Sequence, residues 1–342
     1  MNKMKKLLLA GITSLLIGSL MIGCGEEGTS SKAEGEKKIR IGYVDAGGGA
    51  PMDILAVADQ ENYLKEELNK VGYDVELIGF TGGGPAVNAA FVAGEIDVAS
   101  YGDLPTVLGA SQGVETTALA GEVFCDDAAL MVLNDSDVKS IQDLKGKKVA
   151  TGEGTYTHRI LISMLKENNM TMDDIQFVNM SSTDSVSALQ TGSIDAALFT
   201  ETQTGYLVTE KIARPILSGK DNDDWNGGSA IVGLSSYVEN NKDAIKAFCK
   251  AILRANEYAL NDENYDNLCE LLAKSGSTKE GIQYIRPNVI DFNITAGDEF
   301  VEAERKILDF LIDNKLTSND VDINKWVDSS YLEEAKKELN LK

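Results

Sequence analysis

Two glycine-rich segments carry the residue types that most clearly indicate ligand binding. Gly47–Pro51 and Thr81–Gly84 follow the apolar, strand-like runs Ile39–Val44 and Val75–Phe80. A glycine-rich loop between a strand and a helix brings backbone N–H groups close to a bound anion. Neither segment ends in the Gly-Lys-Ser/Thr of a phosphate-binding loop or has the dinucleotide fingerprint. Together with Tyr101–Asp103, which follows a third strand-like run, these loops predict the mouth of a small-molecule site.

A matching set of residues follows strand-like runs in the second half of the chain. Gly152–Arg159 leads into a helix, and Thr155 is placed to cap that helix with its hydroxyl. The free N–H groups just beyond it, near Tyr156 and Thr157, suit an anion because a helix N-terminus carries partial positive charge. Glu201 leaves the equivalent strand end after the next strand-like run.

Four acidic residues lie near the predicted mouth: Asp45, Asp103, Glu153 and Glu201. Each one alone is interpreted as a solvated rim or capping residue. As a group they indicate a ligand that carries a cation, such as an amino-sulfonate, or a neutral or cationic ligand. The net charge of −22 argues against nucleic acid and anionic lipid surfaces as partners. Salt screens the long-range repulsion between the acidic protein and an anionic ligand over about 8 Å. Local backbone N–H groups therefore still dominate where the anion contacts the protein.

Catalytic and metal-binding chemistry has little support in the sequence. His158 is the sole histidine, so no site with two histidine ligands can form. No Ser/His/Asp order or Gly-x-Ser-x-Gly motif accompanies it. We therefore interpret His158 as structural or ligand-contacting. Asp97 and Asp195 resemble a carboxylate pair, but their matched places in a repeat predict a shared structural role.

That internal repeat defines the elements that must position the site. Ala90–Ala99 and Ala188–Ala197 share the pattern Ala-apolar-x-x-Gly-x-Ile-Asp-x-Ala. Each copy predicts a helix that ends at a left-handed glycine, Gly94 or Gly192, followed by a strand. A strand, a helix and a second strand precede the helix of each copy, so each half of the chain has the order β-α-β-α-β. This order predicts two mostly parallel sheets with a ligand cleft between two lobes. The predicted strands are Ile39–Val44, Val75–Phe80, Ile96–Ser100, Lys148–Thr151 and Ile175–Met180, and the main helices are Met52–Lys70 and Tyr156–Asn168.

The first residues have the features of a bacterial lipoprotein signal. Three lysines precede the apolar run Leu7–Ile22, and Leu20–Cys24 resembles a lipobox, whose cysteine becomes the lipidated N-terminus. We predict a signal peptide over residues 1–23, lipid attachment at Cys24 and a flexible polar tether over residues 24–37. A plain signal peptide and an uncleaved membrane anchor are the alternatives.

The chain is predicted to cross between the two lobes twice. The strand-like runs at these crossings are Thr116–Ala120 and Ala128–Leu133, then Ala213–Leu217 and Ala230–Leu234. Amphipathic helices from Lys242 onward are expected to complete the first lobe and brace the hinge. The predicted divisions are 38–124 for the first part of lobe 1, 125–217 for lobe 2, and 218–342 for the return to lobe 1 and the C-terminal helices.

Three further cysteines follow Cys24. Cys249 and Cys269 lie on neighbouring predicted helices, where they either pair or remain reduced in the core. Cys125 lies at the first crossing. None of the three has the spacing of a metal site.

Ile141–Val149, the segment Gly154-Thr155-x-x-His158 and the two Gly-x-Ile-Asp motifs resemble, in that order, a known family. It comprises the aliphatic-sulfonate, taurine and nitrate binding proteins of ABC importers, the NMT1-like family. The resemblance covers about Ile39–Ser218 and implies the type II periplasmic-binding-protein fold. This is an α/β fold whose two lobes have mostly parallel sheets with helices on both faces, joined by a two-segment hinge. The ligand residues that it implies are Gly49, Ala50, Thr81, Gly82, Gly83, Tyr101, Gly102, Asp103, Thr155, Tyr156 and Glu201.

The chain departs from the family pattern at ligand-facing positions. Tyr156 replaces a frequent serine, and Arg159 stands where an aromatic residue is common. Thr200–Gln203 replaces Trp-Asp-Pro-Tyr, so that Glu201 keeps an acid but the aromatic residues are lost. These departures concern the substrate rather than the fold. We expect Thr155 and Tyr156 to capture an anion, and Glu201 to accept from a donor group of the ligand.

The predicted function is therefore that of a lipid-anchored solute-binding protein on the extracytoplasmic face of a bacterial membrane. It is expected to be monomeric and to deliver a sulfonate, taurine-like or nitrate-like anion to ABC permease subunits. No cofactor, metal or nucleic acid is expected. The alternatives are an enzyme of the same fold acting on a small precursor, a carrier for the anion bicarbonate, a carrier for a thiamine-precursor pyrimidine or other non-anionic ligand, and a receptor that signals to a sensor.

Overall fold

The computed structural model describes residues 37–123, 128–222, 225, 228–287, 290 and 292–341. The predicted signal, Cys24, nearly all of the tether and Cys125 lie outside the described residues. The strands are β1 (Lys37–Val44), β2 (Tyr73–Phe80), β3 (Val98–Gly102), β4 (Thr116–Val123), β5 (Ala129–Leu133), β6 (Lys148–Thr151), β7 (Gln176–Asn179), β8 (Ala196–Phe199), β9 (Ala213–Ser218), β10 (Gly228–Leu234) and β11 (Ile294–Thr295).

The α-helices alternate with the strands in the first two thirds of the chain and dominate the last third. They are α1 (Asp53–Gln60), α2 (Tyr63–Asn69), α3 (Gly83–Ala93), α4 (Asp103–Ser111), α5 (Tyr156–Glu167), α6 (Ser182–Gln190), α7 (Glu201–Thr209), α8 (Ser235–Asn240), α9 (Lys242–Ala259), α10 (Tyr265–Ala273), α11 (Lys279–Ile285), α12 (Gly297–Asp313), α13 (Ile323–Trp326) and α14 (Ser330–Leu339). Short 3₁₀ turns over Ile141–Leu144, Met172–Asp174, Gly219–Asp221 and Asp262–Asn264 complete the connections.

The first lobe is built on a sheet with the strand order β11-β4-β10-β3-β1-β2. Strand β1 is parallel to β2 and β3, whereas β10 is antiparallel to β3 and β4. Helices cover both faces of this sheet. Residues of α1, α2 and α9 form the core on one face, and residues of α3, α4 and α12 form it on the other. Residues of the C-terminal helices thus pack in the two cores of lobe 1.

The second lobe repeats the same arrangement with the order β7-β6-β8-β5-β9. Strand β6 is parallel to β7 and β8, and β5 is antiparallel to β8 and β9. The run β7-β6-β8-β5 therefore matches β2-β1-β3-β10 of lobe 1, strand for strand. In both lobes, the loops after the parallel strands meet at the carboxyl ends of those strands, which is where ligands bind in open α/β sheets.

The repeated Gly-x-Ile-Asp motif has the same structural role in each lobe. Asp97 Oδ2 accepts the backbone N–H of Arg40 at 2.8 Å, and Asp195 Oδ2 accepts that of Lys148 at 2.9 Å. Gly94 and Gly192 both have φ of 68°, which a residue with a side chain adopts at a cost. The prediction that the paired aspartates serve the fold is confirmed.

The predicted single helix Met52–Lys70 is wrong, because the structure has two helices there. The chain breaks between α1 and α2, where Asn62 has φ of 63°. Asparagine tolerates this left-handed conformation better than most residues. The segment contains no glycine or proline, so its apolar pattern gave no signal for the break.

Two cysteines and a tryptophan that the sequence left without a clear role are buried in the cores of the lobes. Cys249 and Cys269 are free thiols in the core of lobe 1, which confirms the interpretation as reduced core residues. Trp225 packs in the core of lobe 2. Along the described ranges, no helix has the length and apolar character needed to cross a membrane.

Candidate functional site

A cavity of about 310 Å³ lies between the two lobes. Its walls come from the loops after β1, β2 and β3 on one side and after β6, β7 and β8 on the other. The expected ligand residues that line it are Thr81, Gly82, Gly83, Tyr101, Gly102, Thr155, Tyr156 and Glu201. Gly49, Ala50 and Asp103 lie outside this lining. Gly49 is exposed on the loop after β1, where its carbonyl oxygen accepts the Tyr43 hydroxyl at 3.3 Å.

The N-termini of helices from both lobes converge on the cavity. The first residues of α1, α3, α5, α6 and α7, or the residues just before them, all line it. Each of these helices follows a parallel strand, so the β-α repeat itself brings the helix ends together. The backbone N–H groups and the partial positive charge of helix N-termini favour an acceptor or anionic group in the cavity.

The two lobes are in contact on both sides of the cavity. The Thr183 hydroxyl of lobe 2 donates to the Ala46 carbonyl oxygen of lobe 1 at 3.3 Å. A methyl group at Gly102 would lie only 3.2 Å from Tyr156 Cδ1, so glycine permits this close approach. The structure therefore corresponds to a closed arrangement of the lobes.

Several expected contact residues use their side chains to build the walls. Thr155 caps α5, since its hydroxyl oxygen accepts the His158 N–H at 3.3 Å and donates to the Gly152 carbonyl at 2.6 Å. The Tyr101 hydroxyl donates to Asn88 Oδ1 at 2.6 Å. Burial raises the pKa of Tyr101 far above its usual range. These hydroxyls thus orient the loops, and the N–H groups of the loops remain the simplest donors to a ligand.

Asp103 is not a solvated rim residue, contrary to the interpretation from sequence. It is buried, and its Oδ2 pairs with Arg159 Nη2 at 3.3 Å. Asp103 starts α4 in lobe 1, whereas Arg159 lies on α5 in lobe 2, so this ion pair joins the lobes. Burial raises the pKa of Asp103, and the neighbouring guanidinium and backbone N–H groups oppose that rise. Arg159 therefore bridges the lobes behind the cavity and does not line it.

Glu201 is also a buried, paired carboxylate rather than a solvated one. Its Oε1 lies 2.5 Å from Arg286 Nη2, and the Arg286 guanidinium also lies over the ring of Phe292. Arg286 follows α11, which is connected to the lobe-1 helix α10. This pair therefore links lobe 2 to the C-terminal part of lobe 1. No local pattern in the sequence points to Arg286, because it lies 85 residues from its partner.

Asp53 and Glu122 form an acidic pair beside the cavity that the sequence analysis missed. Asp53 starts α1 with φ of 52° and lines the cavity. Glu122 is buried and accepts the Ile54 N–H at 3.2 Å and the Ser100 hydroxyl at 3.1 Å. Burial, with the charge of Glu201 adding to it, raises the pKa of Asp53 to about 7, and the Arg286 guanidinium opposes that rise. Burial and the charge of Asp53 raise that of Glu122 to about 8.

A signal for Asp53 was present in the sequence. It stands at the start of the helix after the first strand, in the same place as Tyr156 and Glu201 after their strands. The predicted single helix Met52–Lys70 does not single out Asp53 as the residue that starts a helix.

His158 has a structural role next to the cavity. It is buried, stacks on Phe177 with ring centroids 5.2 Å apart, and its Nδ1 accepts the Gly154 N–H at 3.3 Å. Burial lowers its pKa, which favours the neutral ring that this hydrogen bond requires. Among the described residues, no group of three or more side chains of His, Cys, Asp or Glu is placed to hold a metal ion.

Comparisons with known proteins identify the family of the chain. Residues 53–264 match the NMT1/THI5 like family. A Bacillus subtilis (strain 168) protein, provisionally named an aliphatic sulfonates-binding protein, is 22% identical over 321 residues, covering 93% of this chain and 94% of the relative.

Two solved structures illustrate the range of proteins with this fold. The alkanesulfonate-binding protein SsuA from Xanthomonas axonopodis pv. citri, bound to MOPS, superposes with a TM-score of 0.74 and 19% identity over 85% of this chain and 97% of SsuA. The desulfurization enzyme DSZB superposes with a TM-score of 0.67 and 15% identity over 89% of this chain and 99% of the enzyme. These likenesses show the type II periplasmic-binding-protein fold.

The sequence relatives are named as binding proteins, and they support a solute-binding role for this chain. The family match spans well over half of the chain. The chain therefore belongs to the NMT1/THI5-like family.

Proposed function

We propose that the protein captures a small solute of the sulfonate, taurine-like or nitrate-like class between its lobes and delivers it to an ABC importer. One observation carries this proposal: helix N-termini from both lobes converge on a single cavity that the lobes enclose. A ligand that contacts both lobes favours the closed form, because it binds that form better than the open one. The closed form is then the state that the permease subunits recognise.

The place of capture follows from the N-terminal segment. Lipid attachment at Cys24 would hold the protein at the extracytoplasmic face of the membrane, with residues 24–37 as a tether. The described body begins at β1, and the tether would connect it to the lipid. In this arrangement the protein works as a monomer.

Under this proposal the bound solute is released unchanged. The likeness to a desulfurization enzyme makes turnover the rival function. Catalysis would need an acid, base or nucleophile at the cavity. The sole histidine lies outside the lining, so the carboxyl groups of Asp53 and Glu201 would have to serve as acid or base. Nuclear magnetic resonance of the solute after prolonged incubation tests this point, and a new product would favour the enzyme.

The first experiment is a thermal-shift screen of residues 25–342 in phosphate buffer, since sulfonate buffers are themselves candidate ligands. The panel contains alkanesulfonates, taurine, MOPS, nitrate, bicarbonate and a thiamine-precursor pyrimidine. A ligand at a hundredfold its Kd adds about 2.7 kcal/mol to the free energy of unfolding, which a melting curve detects. A response to pyrimidines alone would overturn the proposed ligand class.

A cavity-filling variant tests the place of binding. Ser182 lines the cavity at the start of α6, whereas Ser187 on the same helix is exposed. We expect Ser182→Trp to abolish binding while the far-ultraviolet circular dichroism stays unchanged, because the indole occupies the ligand volume. Ser187→Trp is the matched control and should bind normally. Equal binding by both variants would place the site elsewhere.

A further inference from the structure

The walls of the cavity carry charge of one sign. Its lining within the described residues contains the acids Asp45, Asp53, Glu153 and Glu201, and no lysine, arginine or histidine. A simple anion would therefore enter a cavity whose lining has four carboxylates and no cationic side chain, with Arg286 paired to Glu201 from outside the lining. This arrangement calls for a positive charge on the ligand itself.

Three of these four carboxylates have protein partners. Asp45 Oδ1 accepts the N–H groups of Gly47 at 2.8 Å and Gly49 at 2.9 Å. Glu153 is exposed and accepts from Asn179 Nδ2 at 3.3 Å. Glu201 is paired with Arg286. These three acids therefore shape the loops or the lobe contact.

Asp53 differs from the other three. In the part of the chain that the structure describes, no hydrogen bond or ion pair reaches its side chain. Glu122 lies beside it and uses its two oxygens to accept from Ile54 and Ser100. Asp53 and Glu122 therefore form a desolvated acidic pair of which only Asp53 lines the cavity. A ligand cation at Asp53 would let both groups ionise.

An independent feature indicates an anionic or acceptor group on the same ligand. Gln203 lines the cavity and is 3% exposed, and within the described ranges its Nε2 has no hydrogen-bond partner. Its Oε1 accepts from the Thr200 hydroxyl, which leaves the NH₂ group to donate elsewhere. A buried donor without a partner is costly, so a ligand acceptor would stabilise it. The N-termini of α3 and α5 add further donors.

We infer that the solute is a small zwitterion whose cationic group binds Asp53 and whose anionic group binds the Gln203 amide and the helix N-termini. This inference rests on the proposed function and names the substrate class of that cavity. It moves the cation-binding role from Glu201, which Arg286 already neutralises, to Asp53. A short amino-sulfonate fits the charges and the volume of about 310 Å³.

Isothermal titration calorimetry of residues 25–342 tests the inference with matched ligands. Taurine is compared with ethanesulfonate and 2-hydroxyethanesulfonate, which keep the sulfonate but lack the ammonium. We expect taurine to bind roughly ten- to a hundredfold more tightly, as for hydrogen bonds between charged groups. Ethylamine, which lacks the anionic group, should bind as poorly as ethanesulfonate.

The variant Asp53→Asn should remove that preference. Asparagine has the same shape and tolerates the left-handed backbone of this position, so the fold is preserved. Asp59→Asn on the same helix is the control, because Asp59 does not line the cavity. We expect Asp59→Asn to keep the preference for taurine in full.

The pH dependence of affinity separates two roles of Asp53. An ionised Asp53 that pairs with an ammonium group makes taurine bind more tightly as pH rises from 6 to 8, since the amine stays protonated there. Asp53→Asn should flatten this profile. If affinity fell over the same range, Asp53 would be donating a proton to the ligand, and the inference would be overturned.

The outcomes for the inference and for the proposed function are distinct. Equal affinity for taurine and ethanesulfonate would overturn the inference and leave the solute-binding function intact. The same holds if ethylamine binds as well as taurine, because the anionic group would then contribute nothing. If taurine, ethanesulfonate, 2-aminoethylphosphonate and β-alanine all failed to bind, the proposed ligand class would be wrong and the inference would fall with it.

Discussion

At the scale of single residues, Asp53 and Glu122 link the ligand cavity to protein stability. Both carboxyls have pKa values raised by burial, to about 7 and about 8. In the unfolded chain such groups titrate near pH 4, so the folded state holds more protons between these values. Their contribution to stability is therefore fully present below about pH 4 and is lost as pH rises through the folded-state pKa values.

We predict that the melting temperature of the ligand-free protein falls between pH 5 and pH 8, and falls less in Asp53→Asn. Each such group contributes up to about 1.4 kcal/mol per pH unit. Glu153→Gln provides the comparison, because Glu153 is an exposed carboxylate of the same cavity. Differential scanning calorimetry across this range measures the slopes. Identical slopes for Asp53→Asn and the parent protein would contradict the prediction.

The same scale shows where sequence reasoning reached its limit. The sequence pattern located acidic residues near the mouth, but it did not identify the arginines that pair with Asp103 and Glu201. Arg159 lies 56 residues from Asp103 and Arg286 lies 85 residues from Glu201. An ion pair of this kind is created by the packing of lobes, and no local spacing records it. Asp103 and Glu201 are expected at a solvated rim, but both are buried and form ion pairs that link the lobes.

At the scale of elements, α7 and α11 pack at a glycine–glycine contact. A Cβ added at Gly205 would overlap the Gly281 carbonyl oxygen, and one added at Gly281 would meet the Gly205 backbone. The Ser277 hydroxyl also donates to the Thr202 carbonyl oxygen at 2.9 Å. Lobe 2 is thus joined to the C-terminal helices through two closely packed backbones.

We predict that Gly205→Ala destabilises the protein by about 1–3 kcal/mol through overpacking. Helix propensity alone would give the opposite sign, a gain of about 1 kcal/mol for alanine over glycine. The direction measured by urea unfolding therefore decides between the two effects. Glu210→Ala, at the exposed end of α7, should change stability little. If Gly205→Ala is more stable than the parent protein, α7 and α11 move apart enough to accept the added methyl group, and the prediction is wrong.

The sequence predicted individual helices and strands better than it predicted contacts between distant residues. The duplicated Ala-apolar-x-x-Gly-x-Ile-Asp pattern identified α3 with β3 and α6 with β8, because each motif is complete within ten residues. The break at Asn62 was missed since no glycine or proline marks it. The antiparallel strands β5 and β10 were predicted as strands, but their neighbours in the sheets depend on contacts that are distant in sequence.

At the scale of the whole molecule, the buried pair Asp103–Arg159 contributes to the contact between lobes. Its Nη2–Oδ2 distance is 3.3 Å, and both side chains are about one tenth exposed. Removing one partner leaves a buried charge uncompensated, which costs about 3–5 kcal/mol. Removing both partners avoids that cost.

We therefore predict a strongly non-additive double-mutant cycle. Arg159→Met should be markedly destabilised in urea, whereas Asp103→Asn combined with Arg159→Met should lose less than the sum of the single changes. Small-angle X-ray scattering should show a larger radius of gyration for Arg159→Met, since the lobes lose a connection. Additive free energies with an unchanged radius would mean that this pair does not hold the lobes together.

The pairs Asp103–Arg159 and Glu201–Arg286 are formed by the protein's own side chains. Asp103 and Arg159 lie outside the cavity lining, so their pair contributes to lobe contact whether or not a solute is bound, whereas Glu201 lines the cavity. Under the proposed function, an importer that recognises closed molecules would respond to this constant contribution as well as to cargo. The strength of the Asp103–Arg159 bond would then set how often molecules without cargo engage the importer.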